Sequence, residues 1–194
     1  SLGAPRRQPG RRANEVERPV ALDRPFYLAT KEINNNQFRQ WKTQHNSSSV
    51  KGMSLDMANQ PVTNVSWEEA ALFCNWLSLE SGLPTFYESE NGSITAINWQ
   101  SNGYRLPTEA EWGWTAKIDK QGLARQFPWN NNLYPPMSPI DNYADVSAKY
   151  LLSFTIAQYD DGYAVAAPVG SFEPNSKGLY NMGGNVSEWT NDYY

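Results

Sequence analysis

The clearest periodic pattern of apolar positions begins after Ser66. Five residues recur at helical spacing and share one face: Trp67, Ala70, Ala71, Cys74 and Leu77. Ser66 and Glu69 form a capping box that starts this helix, and Ser81-Gly82 ends it. Cys74 is therefore expected on the buried face, where a thiol behaves as a small hydrophobe with a raised pKa. The pattern predicts a structural cysteine and not a nucleophile.

Two further helices are predicted from their start signals. Asn34 is followed three residues later by Gln37, a capping-box variant that opens a helix through Trp41. Thr108 and Glu111 form another such box. The helix that begins there carries three residues inward: Trp112, Thr115 and Ala116.

The remaining pattern is weaker. Residues 20–28 mix apolar and polar positions around an aromatic pair and predict a strand, whereas the small polar residues 43–60 predict a loop. Residues 83–102 predict a hairpin with its turn at Asn91-Gly92. From about residue 126 the periodicity fades into Pro, Gly, Asn and aromatic residues. With no internal repeat or visible boundary, residues 1–194 are expected to form a single domain.

Composition narrows the class of protein. Eight Trp, eleven Tyr and seven Phe in 194 residues are typical of a folded globular protein. A net charge of −4 and a pI near 5.1 argue against nucleic-acid binding. No apolar run is long enough for a transmembrane segment. One cysteine and one histidine exclude an internal disulfide framework and a multi-cysteine metal site within these residues.

Charge is unevenly distributed along the chain. Residues 1–24 contain six arginines and three acidic residues, so the other residues carry the negative charge. The Arg6-Arg7 and Arg11-Arg12 pairs lie among Pro and Gly, as in an exposed arm. Either this arm is a docking strip for an acidic partner, or it is a solvated loop.

The loop-rich half supplies ligands for a hard cation. Acidic and amide side chains recur there: Asp141, Asn142, Asp145, Asp160, Asp161 and Glu188. Calcium favours such oxygen ligands in irregular loops, but Asx residues also cap turns, and the pattern leaves both interpretations open. His45 lies in the polar loop without a second nitrogen or sulfur ligand nearby, which disfavours zinc and a Ser-His-Asp triad.

Five motifs occur together in one order: PVTNVSWEEAALFCNWLS (61–78), GYRLPTEAEWGWTAK (103–117), FPWNN (127–131), APVGSF (167–172) and GLYNMGGNVSEWTNDYY (178–194). With them, the chain strongly resembles the sulfatase-modifying-factor family, which includes formylglycine-generating enzymes. The opening RRANEVERPVALDRPFYLATKEINNNQF also resembles the family's first strand and helix start. The resemblance covers nearly the whole chain and implies an irregular, loop-rich α+β fold of the formylglycine-generating-enzyme type, related to C-type lectins.

The resemblance also implies two structural calcium (Ca2+) sites. The first would use the Asn142 side chain, the Tyr143 carbonyl, the Asp161 carboxylate and the Tyr163 carbonyl. The second would use Asn181, the carbonyls of Gly184 and Val186, and Glu188. Ser187 stands where the family usually has Trp, which is expected to loosen packing without removing a ligand.

Formylglycine-generating enzymes use copper bound by a cysteine pair that lies beyond the G-N-x-x-E-W motif. Residues 1–194 lack that pair, and Cys74 matches a helix cysteine of the family instead. The sequence therefore looks like a domain without its first strand and its C-terminal segment. We expect a non-catalytic, calcium-stabilised module that binds a protein or peptide, in the periplasm or outside the cell.

Two alternatives remain open. One is the core of a copper-dependent formylglycine-generating oxidase, or a related protein-maturation enzyme, whose cysteines lie beyond Tyr194. The other is a ligand-variable receptor with the same lectin-like fold.

Overall fold

The computed structural model describes residues 3–4, 6–7, 12–13, 15–129, 132 and 134–192. Its regular elements are few: α1 (Asn35–Trp41), β1 (Ser49–Val50), β2 (Met53–Ser54), α2 (Trp67–Glu80), β3 (Tyr87–Glu90), β4 (Ser93–Ile97), α3 (Glu109–Lys117) and a 3₁₀ turn (Val146–Ala148). The strands form two antiparallel hairpins, β1–β2 and β3–β4. The fold is therefore α+β and loop-rich, as predicted, and long irregular segments follow α3.

All three predicted helix starts are confirmed. The N-cap side chains of Asn34, Ser66 and Thr108 accept hydrogen bonds from backbone N–H groups three residues on, at 2.8, 3.2 and 3.2 Å. In each box the side chain at that third position bonds back to the N-cap N–H. These bonds satisfy donors that a helix otherwise leaves unpaired at its start. None of the helices in the described residues is long and apolar enough to cross a membrane.

The main core lies between α2 and the β3–β4 hairpin. Ala71 and Cys74 pack there against Phe86 and Tyr87. The predicted buried face of α2 leaves out Phe73, which is also buried. The centroid of its ring lies 5.0 Å from that of Phe38 in α1. The other predicted face residues, Trp67, Ala70 and Leu77, are only partly buried. The helix is covered from two sides, which a one-sided apolar pattern does not reveal.

The predicted strand at residues 20–28 is wrong. The segment forms no ladder with any described residue, and Tyr27 is fully exposed. Pro25 cannot donate to a ladder, and the apolar residues pack elsewhere: Phe26 meets Trp114 edge to face at 6.3 Å, and Leu28 packs against the cluster of Ala116, Leu179 and Met182. Packing against α3 therefore takes the place of strand pairing.

The two hairpins differ in how far the sequence predicts them. The loop prediction for residues 43–60 misses the short β1–β2 hairpin, whose turn at Lys51-Gly52 has positive φ at both residues. The β3–β4 hairpin with its turn at Asn91-Gly92 is confirmed. Parts of four sequence features lie outside the described residues: Arg11 of the arginine-rich arm, Arg11 and Asn14 of the opening motif, Asn130 and Asn131 of FPWNN, and Tyr193 and Tyr194 of the last motif.

Candidate functional site

The loop 181–188 folds around the buried carboxylate of Asp141. Asp141 accepts hydrogen bonds from the Asn181 side-chain amide at 2.7 Å and from the Gly183 backbone N–H at 3.2 Å. Gly184 is needed for the close approach, because a Cβ there would lie 2.4 Å from the Asn142 carbonyl oxygen. Burial raises the pKa of Asp141, although these hydrogen bonds oppose the rise.

Asn185 connects this loop with three other segments. Its Oδ1 accepts from the Ala167 N–H at 2.8 Å and from the Asn142 side chain at 3.1 Å. Its Nδ2 donates to the Glu32 carboxylate at 2.9 Å and to the Ala167 carbonyl at 3.2 Å. Asn185 has a φ of 64°, a left-handed conformation that Asn tolerates better than most residues. The amide thus fixes the loop with both its oxygen and its nitrogen.

Three carboxylates lie close to this loop and repel one another: Glu32, Asp141 and Glu188. Burial raises the pKa of Glu32 to about 7, and repulsion from Glu188 and Asp141 adds to that rise, while the hydrogen bond from Asn185 opposes it. The second carboxylate oxygen of Glu32, Oε2, is buried and has no hydrogen-bond partner among the described residues. The Glu188 carboxylate accepts a hydrogen bond from the Trp112 indole. Glu188 is an exposed residue, but the protein around its carboxylate displaces water, which raises its pKa, and Asp141 adds to the rise.

A second acidic centre surrounds Asp161. Its carboxylate accepts the backbone N–H groups of Tyr143 at 2.8 Å and Tyr163 at 2.9 Å, and its own N–H donates to the fully buried Asp145. Burial raises the pKa of Asp161 to about 6, and Asp145 contributes by repulsion. Asp145, Asp160 and Asp161 each accept a hydrogen bond from the backbone N–H two residues on, so the turn-capping interpretation describes all three residues.

The eight predicted calcium ligands are only partly brought together. Six line one depression of about 720 Å³: Asn142, Tyr143, Asn181, Gly184, Val186 and Glu188. The other two, Asp161 and Tyr163, line a hollow of about 550 Å³. The Asn142 amide nitrogen points to Val165 and Asn185 and not to Asp161. The first set is therefore less convergent than the second.

The donor set around the 181–188 loop consists of oxygens. In the described part of the chain, no group of three or more His, Cys, Asp or Glu side chains is placed to hold a metal ion. Each predicted set, however, contains one carboxylate and takes its other oxygens from amides and backbone carbonyls, which calcium accepts. The second set could hold such an ion through Asn181, Gly184, Val186 and Glu188.

Sequence reasoning does not assign Glu32 or Asn185 to this site. Glu32 matches only the family's first helix start, and Asn185 only a motif spacing. One signal for Asn185 is present, because it follows two consecutive glycines, as expected where the chain turns tightly around a buried group. Nothing local marks Glu32, whose partner is 153 residues away.

The thiol and the imidazole of the described residues are both used structurally. Cys74 is buried in the main core, and burial raises its pKa to about 12. His45 is also buried, with its Nε2 2.9 Å from the Thr63 carbonyl oxygen and its ring against Phe38. Neither side chain lies in the depression that holds the carboxylates. The prediction of a buried Cys74 is confirmed.

The chain is similar to known proteins in both sequence and fold. A sequence model of the sulfatase-modifying factor enzyme 1-like domain matches residues 3–194. The formylglycine-generating enzyme of Mus musculus is 36% identical over 141 residues, which are 72% of this chain and 29% of that protein. The inactive C-alpha-formylglycine-generating enzyme 2 of Bos taurus is 30% identical over 135 residues, 69% of this chain and 34% of that protein.

This chain thus spans about a third of the length of these relatives. Among solved structures, PvdO from Pseudomonas aeruginosa superimposes with a TM-score of 0.68 at 23% identity. The match covers 100% of this chain and 67% of that one, and it shows the fold alone.

Proposed function

Because the chain belongs to the sulfatase-modifying factor enzyme 1-like family, we propose that it is a calcium-stabilised domain that binds a protein or peptide and performs no redox step with its own residues. The observation that carries the absence of a redox step is the burial of the Cys74 thiol. This thiol packs against Phe86 and Tyr87, and its pKa of about 12 leaves almost no thiolate at neutral pH. A thiolate is the form that binds copper or attacks a substrate.

Calcium is supported by the unbalanced charge around the 181–188 loop. Loss of hydration and repulsion from Asp141 raise the pKa of both Glu32 and Glu188, and Glu32 Oε2 has no partner among the described residues. A cation held by Asn181, Glu188 and the carbonyls of Gly184 and Val186 would relieve that repulsion. It would also fix a segment that has no regular secondary structure. The calcium concentration outside the cytoplasm is high enough for a domain whose fold needs a bound calcium ion.

The depression beside the carboxylates supports a binding role. Its walls include the half-buried Trp112, the exposed Leu152 and the buried Met182, together with polar backbone from the loop. An apolar wall with a few polar groups is typical of a site that takes a side chain of a partner. The resemblance to a bovine relative named inactive is consistent with a role in binding without catalysis.

A calcium titration of the full-length protein tests whether bound calcium stabilises the fold. Removal of calcium with EDTA should lower the melting temperature, and added calcium should restore it, since a saturating ligand stabilises by roughly 3–4 kcal/mol. Glu188→Gln should abolish the response, whereas Glu80→Gln, at an exposed position at the end of α2, should keep it. An unchanged melting temperature with EDTA would exclude a calcium ion that stabilises the fold.

A second candidate function is the core of a copper-dependent formylglycine-generating oxidase. The 36% identity to the murine formylglycine-generating enzyme supports it. The two candidates differ in the residues expected beyond Tyr194, so the native gene product should be sequenced at its C-terminus and assayed for copper. A downstream cysteine pair with bound copper would favour the oxidase, and a product without that pair would favour the binding module.

A further inference from the structure

Two Asn-Gly dipeptides in this chain lie in different surroundings. Asn91-Gly92 forms the two-residue turn between β3 and β4, with φ values of 52° and 84°. Both residues are exposed. A Cβ built on Gly92 would meet no atom of the described residues within 4 Å, so none of them packs against this peptide from that side.

Asn102-Gly103, in contrast, is held by its neighbours. The Gly103 N–H donates to Ser101 Oγ at 3.0 Å. A Cβ on Gly103 would lie 2.1 Å from the Pro84 carbonyl oxygen and 2.7 Å from Ser78 Oγ. The backbone nitrogen of Gly103 therefore has both a partner and a tightly packed environment.

We propose that Asn91 is a site of spontaneous deamidation and that Asn102 is protected by its packing. In the reaction, the deprotonated backbone nitrogen of Gly92 attacks the side-chain carbonyl carbon of Asn91. A C–N bond forms, the bond to the side-chain nitrogen breaks, and ammonia leaves with a proton from water. The five-membered imide is then hydrolysed at one of its two carbonyls, giving an aspartyl or an isoaspartyl residue at position 91. Water is the only co-reactant.

The attack requires the Asn91–Gly92 peptide to rotate toward the side chain, and this requirement separates the two sites. At the hairpin tip, no described atom lies within 4 Å of the point where a Gly92 Cβ would stand, so that side is open to the rotation. At Gly103 the same rotation breaks the bond to Ser101 and moves backbone that lies against Pro84. The same dipeptide is therefore reactive in one place and protected in the other.

The modification changes the hairpin tip but leaves its base in place. The new carboxylate adds negative charge beside Glu90, and an isoaspartyl residue lengthens the backbone of a two-residue turn, which disturbs the pairing of Glu90 with Ser93. At the base, the Tyr87 N–H donates to Asn75 Oδ1 at 3.1 Å, and the Asn75 amide donates to the Tyr87 carbonyl at 2.8 Å. These buried bonds should preserve the fold.

Peptide mapping of the full-length protein after incubation at mildly alkaline pH tests the proposal. The peptide with Asn91 should gain one mass unit and an isoaspartyl product, while the peptide with Asn102 stays unchanged. In concentrated urea the two asparagines should react at similar rates, because the difference comes from the fold. The variant Asn91→Gln should remove the folded-state product. Equal conversion of both sites in the folded protein, or conversion of Asn91 only in urea, would overturn the proposal.

Discussion

The Asn185 side chain donates a hydrogen bond to the Glu32 carboxylate at 2.9 Å, and so joins the segment before α1 to the 181–188 loop. A backbone bond from the Tyr180 N–H to the Thr30 carbonyl, 2.9 Å long, runs beside it. The loop is therefore held by the opposite end of the described chain as well as by Asp141. Its shape depends on contacts that form only in the complete fold.

We expect Asn185→Ala to lower the free energy of unfolding by about 2–4 kcal/mol, because it removes hydrogen bonds from several buried or half-buried polar groups. Those groups belong to Glu32, Asn142 and Ala167. Urea denaturation with and without calcium measures the loss. Asn102→Ala, at an exposed position, is the control and should cost less than about 0.5 kcal/mol. Similar losses in the two variants would show that the Asn185 network contributes little.

The raised pKa of Glu32 predicts a pH dependence of stability. The unfolded chain releases this proton near pH 4.5, whereas the folded protein holds it until about pH 7. Between these values the folded state binds more protons, so its stability should fall as pH rises, by about 1–3 kcal/mol in EDTA. Denaturation at a series of pH values measures this slope. Glu32→Gln should reduce it, since glutamine does not titrate, and should leave the part contributed by Asp161, whose pKa burial also raises to about 6.

The same series of denaturation experiments at different pH values should be repeated with saturating calcium. An ion held beside Glu188 would lower the pKa of Glu32, so saturating calcium should reduce the loss of stability between pH 4.5 and 7. Glu90→Gln, an exposed substitution at the tip of the β3–β4 hairpin, should keep the slope of the unmodified protein. A Glu32→Gln protein that shows the same slope as the Glu90→Gln protein would assign the pH dependence to other groups.

The parts of the fold that could be predicted from sequence depend on short-range contacts. The boxes at Asn34, Ser66 and Thr108 each join a residue to another three positions on, so the local sequence contains the whole interaction. The hairpin at Asn91-Gly92 was predictable for the same reason. The prediction of a strand at residues 20–28 failed because a strand needs a partner, and the sequence of the segment itself does not specify one.

The candidate site shows the same division. Asn181 and Glu188, to which the family resemblance pointed, line one depression. Glu32 could not be found in this way, since its pKa and its unpartnered oxygen result from burial against Asn185, Glu188 and Asp141. Only the folded chain brings these groups together. Short sequence motifs could not have revealed these contacts, because the residues are far apart in the sequence.

Two of the capping boxes offer a matched pair for measuring burial. Glu111 and Glu69 occupy the same position in their helices, and each pairs with a cation, Arg105 or Lys42. The Glu111 carboxylate is buried and meets Arg105 through both oxygens at 2.7 and 2.6 Å, whereas Glu69 and Lys42 are more exposed. Glu111→Ala should therefore cost about 3–5 kcal/mol, because it leaves the Arg105 charge poorly compensated.

Glu69→Ala is the control for this pair and should cost about 0.5–1.5 kcal/mol, since exposed ion pairs contribute little beyond the cap itself. Thermal and urea denaturation of the two variants give both values. Arg105→Met combined with Glu111→Leu should recover part of the loss, because it removes both buried charges together. Equal costs for Glu111→Ala and Glu69→Ala would contradict the role assigned to burial.

The environment of Cys74 predicts how this thiol reacts with a disulfide reagent. Because the side chain is buried against Ala71, Phe86 and Tyr87 and its pKa is about 12, labelling in the folded protein should proceed only as fast as the core opens. Denaturation should make labelling immediate, and peptide mapping assigns it to Cys74. Ala71→Gly, which loosens the same core, should speed labelling of the folded protein, whereas the exposed substitution Glu90→Gln should not. Rapid labelling of the unmodified folded protein would mean that Cys74 is accessible, and the case against a catalytic thiol in this domain would fail.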